Sequence, residues 1–200
     1  MAVHADDAWK GRKKMQNQSV ARYGSVAQFF HWLTAIVVLI AFIFGPGGSE
    51  QHVYSAPRDF DRQLHETLGL CVFALAILRV LWRTFDTHPP PPAARWMTFA
   101  SKAVQGGLYL LMFMLPLTAV CGVWLEGHAL TLLGSVQFAS PLAAAHETGA
   151  LIAEIHTWLG DAILWLAGLH AVAALYHHFI VRDGVLVSML PAWFPLKGSK

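Results

Sequence analysis

The sequence HTWLGDAILWLAGLHAVAALYHH, residues 156–178, decides how this chain is built. It reads as a long apolar helix with histidines set inside it. His156 and His170 are fourteen residues apart. At roughly 100° per residue they fall on nearly one helix face, about 21 Å apart along the axis. An imidazole deep in a bilayer is costly, so its presence there calls for a task. Two on one face, near opposite leaflets, point to two stacked cofactors rather than one site.

Outward from this stretch the composition is that of a membrane protein. The chain has 200 residues, of which 56% are hydrophobic and 13% charged. A spanning helix needs about 20 mostly apolar residues. Four stretches qualify: 26–45, 64–82, 104–124 and 151–181, the last longer than one bilayer. The expected fold is an all-α, integral membrane four-helix bundle running up-down-up-down. Residues 1–21 form a polar, basic tail, 22–191 the transmembrane domain and 192–200 a short C-terminal tail. The apolar run begins only near Val26 and no small-residue cleavage site ends it, so it reads as a retained helix rather than a signal peptide.

The connections carry their own signals. GPGG at 45–48 ends the first helix, and four prolines at 89–92 make the second connection stiff and extended. Pro116 is expected to kink the third helix, while Gly106 and Gly107 allow a close neighbour. The loop 125–150 is mildly apolar, with room for a short interfacial helix. Cys71 and Cys121 lie in apolar stretches and are expected to be buried thiols. No CxxCH or CxxC occurs, so covalent c-type haem, iron–sulfur and structural zinc sites are not expected.

Basic residues set the orientation. With the N-terminus inside, inner segments hold twelve of the fourteen Lys and Arg, and the outer loops hold Arg58 and Arg62. The positive-inside rule then places both termini in the cytoplasm. The histidines sort by depth: His31 and His170 toward the inner side, His65 and His156 toward the outer. The pairs expected are His65 with His156 and His31 with His170, each joining two helices. Axial imidazole pairs suit b-type haem, with both axial positions filled and the iron reserved for electron transfer. Gly69 and Gly160 each follow a ligand by four residues and would let a flat ring lie against the backbone. Arg79, fourteen past His65, shares that face near the inner leaflet and is suited to a haem propionate. Asp161 is five residues past His156, which puts it on another helix face; a proton relay and a plain hydrogen bond both remain open for it.

At these residues the chain resembles the bacterial cytochrome b561 family. The matching segments are RYGSVAQFFHWL (22–33), LHETLG and LRVLWR, LYLLMFMLPLTAVCG, and LGDAILWLAGLHAVAALYHHFIVRDGVL. The resemblance implies a bacterial inner-membrane protein with two haem b groups on His31, His65, His156 and His170. It implies oxidation of superoxide at the periplasmic side and reduction of ubiquinone at a site near the inner end of the fourth helix. His177, seven past His170 on the same face, is the residue suited to a quinone carbonyl. Departures exist: the third helix opens with SKAVQGG where relatives carry a histidine, Ser188 replaces a basic residue, and His146 in AHETG rivals His156 as outer ligand. The expected partners are quinone, superoxide, membrane lipid and a redox protein; no nucleic-acid partner is expected. The rival role is an electron-relay subunit between quinol and a partner dehydrogenase or periplasmic redox protein.

Overall fold

The computed structural model describes residues 22–47, 49–85, 95–134, 136–191 and 193–194. The basic residues of the N-terminal tail, the proline run 89–92, His4, His88 and the last residues of the C-terminal tail lie outside that set. Among the described residues, four helices are long and apolar enough to cross a membrane. The first is α1 (Ser25–Ile43), followed by a single turn α2 (Glu50–Val53) and a 3₁₀ turn (Ala56–Arg58). Then come α3 (Asp59–Phe85) and α4 (Arg95–Leu125). A hairpin of β1 (Leu130–Leu132) and β2 (Val136–Phe138) precedes α5 (His146–Tyr176). A π-helical turn (His177–Val181) and the short α6 (Val185–Ser188) are the last elements among the described residues.

The termini of α3 follow ordinary helix chemistry. Asp59 and Asp61 stand in its first turn and Arg83 in its last, each sign matching the helix dipole. The helices extend beyond the apolar stretches that announce them. α3 starts five residues before Leu64, and α4 nine before Val104. At 31 residues α4 and α5 are each about 46 Å long, more than the roughly 30 Å hydrocarbon core. α4 runs on through Pro116.

α1 packs on α3, α3 on α4 and α4 on α5, the neighbour-to-neighbour order of an up-down bundle. Close approach is built from small residues. A methyl on Gly107 would stand 3.0 Å from Leu166, and Gly122 meets the backbone of Ala153. The dry core is one layer, Val72, Ala76, Met112 and Ile163, with Val37, Val38 and Tyr109 around it. Ile163 lies seven residues from both His156 and His170. The layer therefore crosses the bundle midway between the two histidine levels.

Two expectations are corrected, and one contact is new. The loop 125–150 holds an antiparallel hairpin, Leu130 opposite Phe138, instead of an interfacial helix. Thr131 and Val136 favour strand, and Gly134 turns the chain with φ of +85°. Cys71 and Cys121 are exposed on the outside of the bundle, where a membrane protein meets lipid, so apolar surroundings there do not mean burial among side chains. Arg22, the first described residue, is part of a clasp on the C-terminal hook. It donates to Leu190 O (3.1 Å), Gln28 to Ser188 O and Leu190 O, and Trp32 to Met189 O.

Candidate functional site

Two histidine pairs stand at two levels of the bundle. The imidazole centroids of His65 on α3 and His156 on α5 are 6.0 Å apart. Those of His31 on α1 and His170 on α5 are 6.2 Å apart. A metal ion shared by two imidazoles lies about 2 Å from each nitrogen, which sets the centroids roughly 6 Å apart. The ring planes are turned 89° and 68° from one another. Rotation about the shared axis is free in such a pair, so neither angle opposes it. Among the described residues no three His, Cys, Asp or Glu side chains gather around one point. Each pair thus suits a metal whose remaining positions come from a ring.

Local backbone chemistry aims the first pair. At the end of α1, Gly45 N–H bonds Phe42 O, which leaves the carbonyl of Ala41 without its helical donor. His65 Nδ1 takes that role at 2.7 Å. Gly45 is what lets the ring reach it, since a methyl there would stand 3.3 Å from the imidazole. His156 Nδ1 lies 2.9 Å from Leu115 O and 3.2 Å from the hydroxyl of Thr118. A carbonyl only accepts, so in both rings the proton sits on Nδ1 and Nε2 keeps the lone pair a metal needs.

The second pair is set differently. Arg79 Nη2 donates to His31 Nδ1 at 3.3 Å, and its guanidinium lies 5.4 Å over the ring of Tyr109. An arginine has no acceptor, so Nδ1 of His31 is here the receiving nitrogen.

The room beside the rings has the shape of a missing plate. A cavity of about 940 Å³ is lined by His65, His156, Gly69, Gly160, Val72 and Ile163. A methyl built on Gly69 or Gly160 meets nothing within 4 Å, so both glycines open onto the void. α5 scarcely touches α1 or α3, although its histidines reach across to both. The seam between the two helix pairs is open where flat groups would lie. The residues around His65 and His156 fit a bis-histidine haem, and His31 with His170 repeats their spacing.

At its mouth the cavity is polar. Arg62 bonds Glu66 and Asp59, each at 3.0 Å. Glu66 Oε2 accepts from Thr131 N and Thr67 Oγ1 from Leu133 N, so the residues following His65 dock the hairpin. His128 bonds Glu50 at 2.8 Å and stacks on Tyr54 at 3.6 Å. Burial, reinforced by Glu126 and Glu66, pushes the Tyr54 phenol well above its usual range. Burial also pushes the carboxyl of Glu126 up, with Glu50 adding to it and His128 and His146 opposing.

Each sequence-expected residue has a place. His31, His65, His156 and His170 meet in the expected pairs. His146 is the first residue of α5, beside Gly127 and away from His65. Asp161, five residues past His156, is exposed and also lines the cavity. His177 leads the π-helical turn and bonds Asp183, a residue the sequence reading passed over.

A family model described as prokaryotic cytochrome b561 matches residues 22–192. Cytochrome b561 homolog 2 of Escherichia coli is 31% identical over 171 residues, covering 84% of this chain and 91% of that protein. Cytochrome b561 homolog 1 of the same organism is 28% identical over 180 residues, covering 85% and 97%. A probable superoxide oxidase, CybB, of Yersinia pestis is 25% identical over 177 residues, covering 85% and 96%.

Proposed function

The chain belongs to the prokaryotic cytochrome b561 family and is a multi-pass inner-membrane, electron-transferring b-type cytochrome; from that premise we propose that it carries two haems and moves electrons from superoxide to ubiquinone. The observation that carries this reading is the pair of histidine levels, fourteen residues apart on α5, each spanned at a distance that suits one iron. His65 with His156 holds one haem and His31 with His170 the other. Haem b, when bound, supplies reversible one-electron chemistry.

The residues divide the remaining work. Ala41 O and Leu115 O hold the His65 and His156 rings in the ligating tautomer. Arg79 would hold a propionate at the other level and, in doing so, release Nδ1 of His31. The Val72, Ala76, Met112 and Ile163 layer keeps water out between the levels. Both termini are cytoplasmic, so His65 and His156 lie toward the periplasm and His177 toward the cytoplasm. Two superoxide anions leave as two oxygen molecules. Their two electrons, with two protons, convert ubiquinone to quinol beside His177. The name of the Yersinia pestis relative supports the superoxide half of this reading.

One observation favours a second reading. Glu50, Glu66, Glu126, Glu154 and Asp161 line the cavity, with Arg62 the cation among them. That field repels an anion and welcomes a neutral or cationic donor. The second reading is therefore an electron-relay cytochrome serving a partner redox protein.

One experiment separates them. Oxidised, detergent-purified protein is exposed to enzymatically generated superoxide while the haem α-band is followed, and a short-chain ubiquinone is then added. Reduction abolished by superoxide dismutase, followed by reoxidation by quinone, is the expected result. Haems that reduce with dithionite yet ignore superoxide defeat the first reading in favour of the relay.

A further inference from the structure

Where α5 ends, the chain does something unusual. Its helical ladder widens into the π turn His177–Val181, and Arg182 closes it in the left-handed region at φ of 57°. Arg182 is the one non-glycine residue with positive φ among the described residues. Such bulges and left-handed residues persist when the surroundings over-determine them, and they cluster at functional positions. Here they fold Asp183 back onto His177, with Oδ2 2.5 Å from Nδ1. The other carboxylate oxygen accepts from Val185 N at 3.0 Å, which starts α6.

The far side of α6 is equally fixed. Tyr23 N and Gln28 both bond Ser188 O, Arg22 and Gln28 bond Leu190 O, and Trp32 bonds Met189 O. Ser188 and Val187 are fully buried. The turn of α1 that carries His31 thus grips the hook whose first residues hold Asp183. A free surface ion pair has no such frame. The carboxylate is held from two directions, and it is held against one particular nitrogen.

We propose that Asp183 is a positioning residue for quinone reduction: it keeps a proton on Nδ1 of His177, so that Nε2 is the nitrogen that gives a proton to the quinone. This rests on the reading of His177 as the quinone contact. The balance is simple. In imidazolium form His177 has Nδ1–H on Asp183 and Nε2–H toward a quinone oxygen. As that oxygen gains an electron from the cytochrome, the Nε2–H bond breaks and an O–H bond forms. The ring is left neutral with Nδ1–H still on Asp183, and Nε2 regains a proton from water at the membrane boundary. Asp183 stays ionised throughout, the role a buried aspartate plays toward a catalytic histidine.

The test uses the full-length, haem-loaded protein, reduced with dithionite and reoxidised by a short-chain ubiquinone. Asp183→Asn keeps an oxygen for Val185 N but loses the charge. It is expected to lower the limiting reoxidation rate about 10- to 100-fold, by analogy with the loss of the outer partner of a metal-bound histidine. The half-saturating quinone concentration should change by less than about threefold, and the α-band should not move. Asp183→Glu should restore most of the rate. In wild-type protein labelled with ring-¹⁵N histidine, the neutral form of His177 should carry its proton on Nδ1; a proton on Nε2 overturns the proposal whatever the kinetics. If His177→Gln slows reoxidation and Asp183→Asn does not, Asp183 has no such role while the quinone reading stands. If His177→Gln reoxidises at the wild-type rate, the quinone reading itself fails.

Discussion

Gly69 and Gly160 give the cavity a test in which two effects take opposite signs. Both sit within helices, on α3 and α5, and both face the void beside His65 and His156. Replacing each by alanine adds a methyl that meets no atom of the chain within 4 Å. With nothing to clash against, the change favours the helix by about 0.5–1 kcal/mol per site, or roughly 1–2 kcal/mol for the pair. The haem-free protein should therefore become more stable.

The loaded protein should behave the other way. A ring lying on a glycine approaches the backbone to about 3.5–4.0 Å, which leaves no room for a methyl between them. Overpacking of that kind costs about 1–3 kcal/mol, which weakens haem affinity about 5- to 150-fold. The assay pairs haem content per chain, from the pyridine haemochrome spectrum, with thermal melting of the haem-free form. The double variant should lose the haem held by His65 and His156 and keep the one held by His31 and His170, while its haem-free melting point rises. A double variant that keeps full haem content refutes the placement of a ring against these glycines.

Three further outcomes follow from individual contacts. His156→Ala should remove one haem per chain, and His146→Ala should remove none, because His146 stands apart from His65; equal losses in a haemochrome titration would reverse that assignment. Gly149→Ala should destabilise the bundle by about 1–3 kcal/mol, seen as a lower melting temperature, since its methyl would fall 2.7 Å from Glu126 N and 2.9 Å from Leu125 C. Glu126 has its carboxyl pushed above the ordinary value of 4.5 by burial, so the folded protein holds that proton more tightly than the unfolded chain. Its contribution is complete below that ordinary value and is lost as pH rises through the folded one. Glu126→Gln should then match wild type in melting scans near pH 4 and exceed it at neutral pH; a constant difference across the range would contradict the sign.

The histidine pairs were legible because they depend on period and depth alone. Fourteen residues is close to four helical turns, so His156 and His170 share a face whatever the side chains between them. Hydropathy sets the depth of His31 and His65, and depth sets the partners. The Nδ1 tethers were not legible. They use Ala41 O and Leu115 O, and a carbonyl carries no signature in a sequence; only the break at Gly45 and Pro46 hinted that α1 would leave one free. Asp183 was hidden for a related reason. Six residues past His177 is not a helical neighbour, and it becomes one only through the π turn and the left-handed Arg182. The hairpin was missed because three-residue strands give too short an alternation to read against a mildly apolar loop. Cys71 and Cys121 were misplaced because, in a bilayer, apolar residues cover the outside as readily as the inside.

The open seam gives the histidines a second task. α1 with α3 and α4 with α5 are well-packed pairs, joined mainly where α3 meets α4, and α5 lends few residues to the dry core. Without a strong driving force between helices in lipid, that join has little beyond the contacts shown to hold it. A group bound by one histidine from each side adds its binding free energy to the assembled state, because the separated state offers it one ligand at a time. Haem here would close the bundle as well as serve it. That would also account for paired histidines standing on α1, α3 and α5, with none on α4, whose contacts on both sides are already made by packing.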